Sequence, residues 1–388
     1  MKVIVKDIKV PVVKKDIKED IKRKLKDTLK VPSSRIIDFR IVKQSIDARK
    51  PRDMVYWVFS VLVEVKGNIQ LSEKVVPYDE PTLDFKLIKK KLVPVIVGAG
   101  PCGLFSALFL SYHGINGIVV ERGCSIDERI AKVEKLWNEG ILDIDCNPQF
   151  GEGGAGTFSD GKLVTRVKDP LIGFVLREFV RFGAHEKILI DSKPHVGTEY
   201  IRKIVKNIRD YLISKGWSFR FKEKVVDMET TNTRVKAVIT EKGKIEGTHF
   251  IFAIGNSARD TFEMLLKQNV AITGKPFAIG FRVEHPQDLI NENQYGRFKK
   301  FLPPASYTLT YNFKEDSRGV YSFCMCPGGY IICGSSEENT VVTNGMSYFK
   351  RDSSFANSAI VITVDKRDFP NAGPLGGVEL QRILESKA

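Results

Sequence analysis

The sequence predicts an α/β protein built on a Rossmann-like dinucleotide-binding domain of three layers, ββα, with a basic α+β module before it and a mostly β lobe after it. Three observations carry this. A G-x-G-x-x-G turn at Gly98–Gly103 sits between an apolar strand and an apolar helix. Charge is concentrated before that turn: residues 1–91 hold 23 Lys/Arg against 13 Asp/Glu, so ten of the fourteen net positive charges fall in the first quarter of 388 residues. From about residue 275 to 364 the pattern changes to short alternating runs with aromatics and glycines, the texture of a second lobe.

The N-terminal module comes first. Residues 1–12 alternate as a strand, and Ile17, Ile21, Leu25 and Leu29 recur every four residues along an otherwise charged helix at 15–30. Runs from Arg35 to Val42 and from Met54 to Val65 read as two strands, joined through the basic turn Asp47-Ala48-Arg49-Lys50-Pro51. The result is a β-α-β-β unit over residues 1–70 with one sheet face under a helix. A linker at 71–92 follows, broken by Pro77 and Pro81 and ending in Lys89-Lys90-Lys91. A basic module can attract polyanions, but few of its aromatics look exposed for base stacking, so nucleic acid is the lesser reading of its charge.

The dinucleotide domain spans residues 93–274. Leu92 to Val97 is a strand, Cys102 to His113 a helix and Ile118 to Val120 the next strand. A helix capped by Thr198 follows, and then strands at Phe219–Asp227, Val235–Thr240 and His249–Ile254, a small meander that returns to the main sheet. The second lobe occupies 275–366, and 367–388 turn back toward the first domain. The uninterrupted apolar runs fall short of the ~20 residues that a membrane-spanning helix needs. The N-terminus lacks the features of a signal peptide, and the six cysteines form no paired framework, which suits a reducing, cytoplasmic compartment.

Each residue of the first turn has a task. Gly98 permits the sharp exit from the strand, Gly100 lets the backbone approach a pyrophosphate, and Gly103 lets the helix pack on the sheet. The helix N-terminus offers amides and positive partial charge to phosphates. Glu121, 23 residues after Gly98, ends the second strand, where a carboxylate can accept hydrogen bonds from ribose hydroxyls. A second match, Gly151-Glu152-Gly153-Gly154-Ala155-Gly156, follows no strand and leads into no apolar helix, so it is not a second Rossmann turn.

The stretch Val95–Gly123 (VIVGAGPCGLFSALFLSYHGINGIVVERG) resembles the FAD-binding start of glutathione-reductase-like flavoproteins. NPQFGEGGAGTFSDGKLVTR, PHVGTEYI, FAIGNSARDTFEML and MCPGGYIICGSSEENTVVTNGMSYFKRD are similar, more narrowly, to an uncharacterised family of bacterial FAD-dependent dehydrogenases, over nearly the whole chain. The resemblance implies a flavin oxidoreductase that passes a hydride between FAD and a small-molecule substrate. It implies that Gly98, Gly100, Pro101, Cys102, Gly103, Glu121 and Arg122 line the ADP half of FAD. Gly154, Ala155, Gly156 and Thr157 then fall near the pyrophosphate or flavin end, and Ile254 and Gly255 match a second flavoprotein signature. Members of that family continue past the point where this sequence stops, into a last glycine-rich turn at the flavin ring. The expectation is therefore a shortened chain with a weakened flavin end, which a further segment of the same protein would complete.

Catalytic residues are not legible. Cys324-Met325-Cys326 is the tempting redox element, and Cys326 is one candidate. In a strand, however, the two side chains share a face, and nothing basic lies near in sequence, so they read as buried strand cysteines. His285 is a second candidate, as a proton donor, against the reading of a structural histidine beside a proline turn. Arg259 and Asp260 read as an ion pair at a helix start. The scattered His and Cys make no metal pattern. NAD(P)H enters only as a transient reductant, without a second nucleotide turn to hold it.

Overall fold

The structure, a computed structural model, describes the chain except residues 50–52, 80–82, 166, 233, 316 and 317. Lys50, Pro51 and Pro81, invoked above for a turn and a linker break, lie outside the described residues. At the centre is a parallel sheet in the order His249–Phe252, Pro94–Val97, Ile118–Val120, Ser218–Arg220. Its two central strands, Pro94–Val97 and Ile118–Val120, are short and apolar on both faces because both faces are covered. Ile96 and Val119 point into one core with Leu104, Leu108, Ile204, Ile208 and Leu212, from the helices Pro101–Tyr112 and Thr198–Ser214. Val95, Val97 and Val120 point into the other, with Val225, Met228, Val238 and Ile245 of a three-stranded antiparallel sheet. That sheet comprises Val225–Thr231, Arg234–Thr240 and Gly243–Glu246. The three layers are those of the predicted ββα domain.

Two local expectations are corrected. Phe219–Asp227 is not one strand. The chain turns at Lys222, which has a left-handed φ of 53°, so Ser218–Arg220 stays in the parallel sheet while Val225 opens the antiparallel one. Thr198 does not cap its helix. Gly197 occupies that place, and the Thr198 hydroxyl donates instead to the carbonyl of Thr157 at 2.7 Å.

The N-terminal sheet runs Ile36–Asp47, Tyr56–Val65, Lys2–Pro11, Val75–Pro77. The helix Ile17–Leu29 starts where the Asp16 carboxylate accepts from the Glu19 amide (2.9 Å) and buries Ile21, Leu25 and Leu29 on the sheet. The fourth strand comes from the segment read above as linker, so the module reaches Pro77. The linker is also packed: Phe85 lies among Phe109, Tyr112 and Phe174. The module is tied to its neighbours through the Gln44 amide, which donates to Ile190 (2.6 Å), and through Val12 and Val55 against Phe298.

The second lobe is an antiparallel sheet in the order Phe277–Pro286, Phe355–Val364, Arg318–Cys326, Thr310–Phe313. A hairpin of Tyr330–Cys333 and Thr343–Met346 reaches back, placing Ile332 and Met346 against Val133 and Phe158 of the first domain. The helix Gly376–Lys387 packs back as well, through Glu385 on Arg259.

Candidate cofactor site

A cleft of ≈ 640 Å³ opens at the C-terminal ends of the parallel strands, where ligands of open α/β sheets bind. Three segments converge on it. The first is the turn after Val97. Gly98 has φ 105°, and a Cβ there would stand 2.4 Å from the carbonyl oxygen of Ala253, so only glycine fits. Gly100 caps the following helix with no side chain, and Pro101 fills its first position, so the helix meets the cleft with its positive end uncapped. At Gly103 a Cβ would lie 1.9 Å from the Gly98 carbonyl oxygen, the close helix–strand contact expected.

The second segment is the glycine loop rejected as a Rossmann turn. It does not follow a strand, yet it lies directly on the first turn: the Gly153 amide donates to Ala99 at 2.8 Å, and a Cβ at Gly154 would lie 3.1 Å from Gly100 Cα. Arg129, wholly buried, holds the loop by donating to the carbonyls of Asn147 (3.0 Å), Glu152 (2.7 Å) and Gly154 (2.9 Å). Burial brings its guanidinium down to about 9. Beneath it, the Glu152 carboxylate accepts from the Ile126 amide (2.7 Å) and Arg209 (2.6 Å); burial raises it to about 6. The third segment is the exit of His249–Phe252, through Ile254 and Gly255 to Ser257.

Gly98, Gly100, Pro101, Cys102, Glu121, Arg122, Gly154, Ala155, Gly156, Ile254 and Gly255 all line this cleft. Gly103 and Thr157 do not. They pack behind it, Thr157 fully buried with its hydroxyl toward the Glu152 carbonyl. Glu121 is only 6% exposed, and its oxygens accept from the amides of Ala99 (2.7 Å), Gly123 (2.9 Å) and Gly151 (3.0 Å). The carboxylate therefore knots the first turn, the second strand end and the glycine loop together, a task that spacing did not reveal. Arg122 stacks over Phe150 (4.3 Å) and pairs with Asp260 (2.7 Å).

Asp260 thus does not pair with its neighbour. Arg259 instead reaches Glu337 and Glu385, both at 2.7 Å, across to the second lobe and the last helix. His285 lies outside the cleft, hydrogen-bonded through Nε2 to the Tyr307 hydroxyl (2.9 Å). Cys326 is buried outside the cleft too, but the expectation that nothing basic lies near it is overturned: Lys162 Nζ is 3.4 Å from its sulfur. Cys124 and Cys146, which the sequence leaves unpaired, are joined in a disulfide beside Glu121 and Gly123. Among the described residues no group of three His, Cys, Asp or Glu side chains is placed to hold a metal ion, and no helix is long and apolar enough to cross a membrane.

The cleft suits a dinucleotide: glycines that leave room for a pyrophosphate, an uncapped helix start toward it, and apolar walls from Val97, Val120, Phe252 and Ile254 for rings. Fold and cleft together define a FAD-binding protein. Residues 92–126 match a family of FAD binding domains, residues 276–388 one described as FAD-dependent protein, C-terminal domain-like, and residues 2–64 a domain of unknown function. The chain belongs to the same family as an uncharacterized protein of Clostridium beijerinckii, with which it is 44% identical over 378 residues, 95% of this chain and 71% of that protein. It is also 30% identical over 103 residues to a D-amino acid dehydrogenase of Helicobacter pylori, covering 26% of this chain and 23% of that one. Among solved structures it is similar to glycine oxidase from Bacillus cereus, at 12% identity and a TM-score of 0.36 over 76% of this chain and 78% of that one.

Proposed function

We propose that this flavoprotein passes a hydride between FAD and a small organic substrate held against the second lobe, in the cytoplasm, and that NADH or NADPH serves as a transient reductant. When bound, FAD supplies the redox chemistry at its N5 atom. The chain supplies position. Gly98, Gly100 and the helix start at Pro101 would hold the pyrophosphate, Glu121 the ribose end, and Gly154–Gly156 with Ile254 and Gly255 the rest of the cofactor. The convergence of the two glycine loops, locked by Arg129 and Glu121, is the observation that carries this reading, because it builds one cradle from segments far apart in sequence.

The test is anaerobic titration of the flavin-loaded full chain, followed by its visible spectrum. Bleaching of the flavin bands by NADH or NADPH, and their recovery on adding an acceptor, is expected. A flavin reducible by dithionite but by neither nucleotide refutes the nucleotide as donor. Full nucleotide reduction in a Gly100→Val chain refutes the site.

A further inference from the structure

Cys324 and Cys326 sit where the strand Arg318–Cys326 leaves its ladder. Pairing with Phe355–Val364 shifts register between Phe323 and Cys326, and Cys324 has φ 45°, a left-handed conformation rare outside glycine and enriched at functional sites. In a regular strand, residues i and i+2 stand about 6.6–6.8 Å apart, at the far edge of the 4.4–6.8 Å that a disulfide spans between Cα atoms. At this register shift both sulfurs come within reach of one side chain.

What they meet there is cationic. Lys162 Nζ lies 3.8 Å from the Cys324 sulfur and 3.4 Å from the Cys326 sulfur. Arg282 donates to the Cys324 carbonyl at 2.7 Å, with its Nη2 3.8 Å from the Cys326 sulfur. Lys162 is held in place by Asp160 (3.0 Å), itself buried and paired with Arg351 at 2.5 Å. Space is kept by Gly345, where a Cβ would stand 2.6 Å from the Cys326 sulfur and 2.4 Å from Arg282. Hydrogen bonding from Cys326 is the largest influence holding Cys324 below the ordinary thiol range, to about 5, with Lys162 and Arg282 adding to it; the same bond keeps Cys326 protonated. Cys326 is fully buried, while Cys324 is partly exposed.

We propose that Cys324 and Cys326 form a thiol–disulfide exchange site for low-molecular-weight organic disulfides, with Cys324 as the attacking sulfur, Cys326 as the resolving one and Lys162 as the positioning cation. The Cys324 thiolate attacks one sulfur of the disulfide RSSR. A Cys324–SR bond forms, the RS–SR bond breaks, and RS⁻ leaves. Cys326 then attacks the Cys324 sulfur, forming the Cys324–Cys326 disulfide and expelling the second RS⁻, which takes up the Cys326 proton and leaves as RSH. The pair is oxidised by two electrons and RSSR is reduced to two thiols, so the step balances without the flavin, and the inference does not rest on the site proposed above.

Glutathione disulfide is the probe. The reduced full chain is incubated with it, quenched with acid and digested with chymotrypsin, which cuts after Phe323 and Tyr330 and separates the peptide Cys324–Tyr330 from Cys333. That peptide should lose two hydrogen atoms, as the closed pair. In Cys326→Ser it should carry one glutathione on Cys324. In Cys324→Ser it should stay unmodified. Iodoacetamide labelling of native Cys324 near pH 6 should outpace that of the same residue in the urea-unfolded chain. Lys162→Met should slow it about twofold, the fall in thiolate at pH 6 when a thiol near 5 rises by one unit. A wild-type peptide that gains no disulfide while Cys333 or Cys102 is glutathionylated overturns the proposal. So does native Cys324 labelling no faster than in urea, a comparison that needs no variant to fold.

Discussion

Glu121→Gln tests the knot around the first turn. The side chain keeps its size but presents one acceptor where the carboxylate has two. If the amide oxygen serves Gly123 and Gly151, the NH2 faces the Ala99 N–H, donor against donor, where a 2.7 Å bond stood. One charge-assisted bond is lost, at about 1.5–3 kcal/mol, and the other two weaken from charged to neutral. A local loss of about 3 kcal/mol follows, which makes opening of these loops roughly a hundredfold more frequent. Hydrogen–deuterium exchange of the cofactor-free chain reads this directly, in peptides covering Ala99, Gly123 and Gly151. Faster exchange in all three, with FAD affinity reduced alongside, is expected. Unchanged exchange with weakened FAD would mean that Glu121 acts on the ribose alone and that the knot carries no energy.

Gly100→Val should leave the cofactor-free fold intact, since the nearest atom to a Cβ there is 3.8 Å away, yet abolish FAD binding by filling the pyrophosphate space; Gly103→Ala, meeting the Gly98 carbonyl at 1.9 Å, should instead lower the melting temperature. His195, beside Phe349 and facing Arg351, Asp160 and Lys187, is held neutral, first by burial, down to about 4. Its folded value is depressed, so the unfolded chain binds its proton first: stability is lost as pH falls from 6.5 to about 4, on the order of 3 kcal/mol. His195→Gln should flatten the urea midpoint across that window; an unchanged slope would place the titration elsewhere. Trypsin should cut the native chain first at the exposed Lys89–Lys91, and a fragment ending there should keep the cooperative melt of an independent N-terminal module. First cuts within 2–77 would contradict that boundary.

The first turn was readable because its signal is local: strand, glycines, helix and acid lie within thirty residues, and each position has one physical demand. The N-terminal helix and most strands were readable from period alone. The glycine loop at 151–156 carried a misleading local pattern, and its place against Gly100 depends on Arg129, a charged residue on the apolar stripe between Ile126 and Val133. That anomaly was the signal for a buried polar anchor. The Cys324–Cys326 cluster was unreadable in principle: Lys162 is 164 residues from Cys326, and the register shift between Phe323 and Cys326 leaves no mark on alternation. Arg259 misled for the opposite reason, because adjacency in sequence suggested a pair that tertiary contacts divide between two lobes.

The central claim is that the cleft at Gly98 holds FAD. Denaturing the purified full chain and chromatographing what it releases tests it most directly. FAD is the expected product, in the wild type and in Gly103→Ala chains that remain folded, and absent from Gly100→Val. Release of NAD or FMN in place of FAD, or FAD retained by Gly100→Val at wild-type affinity, would contradict it.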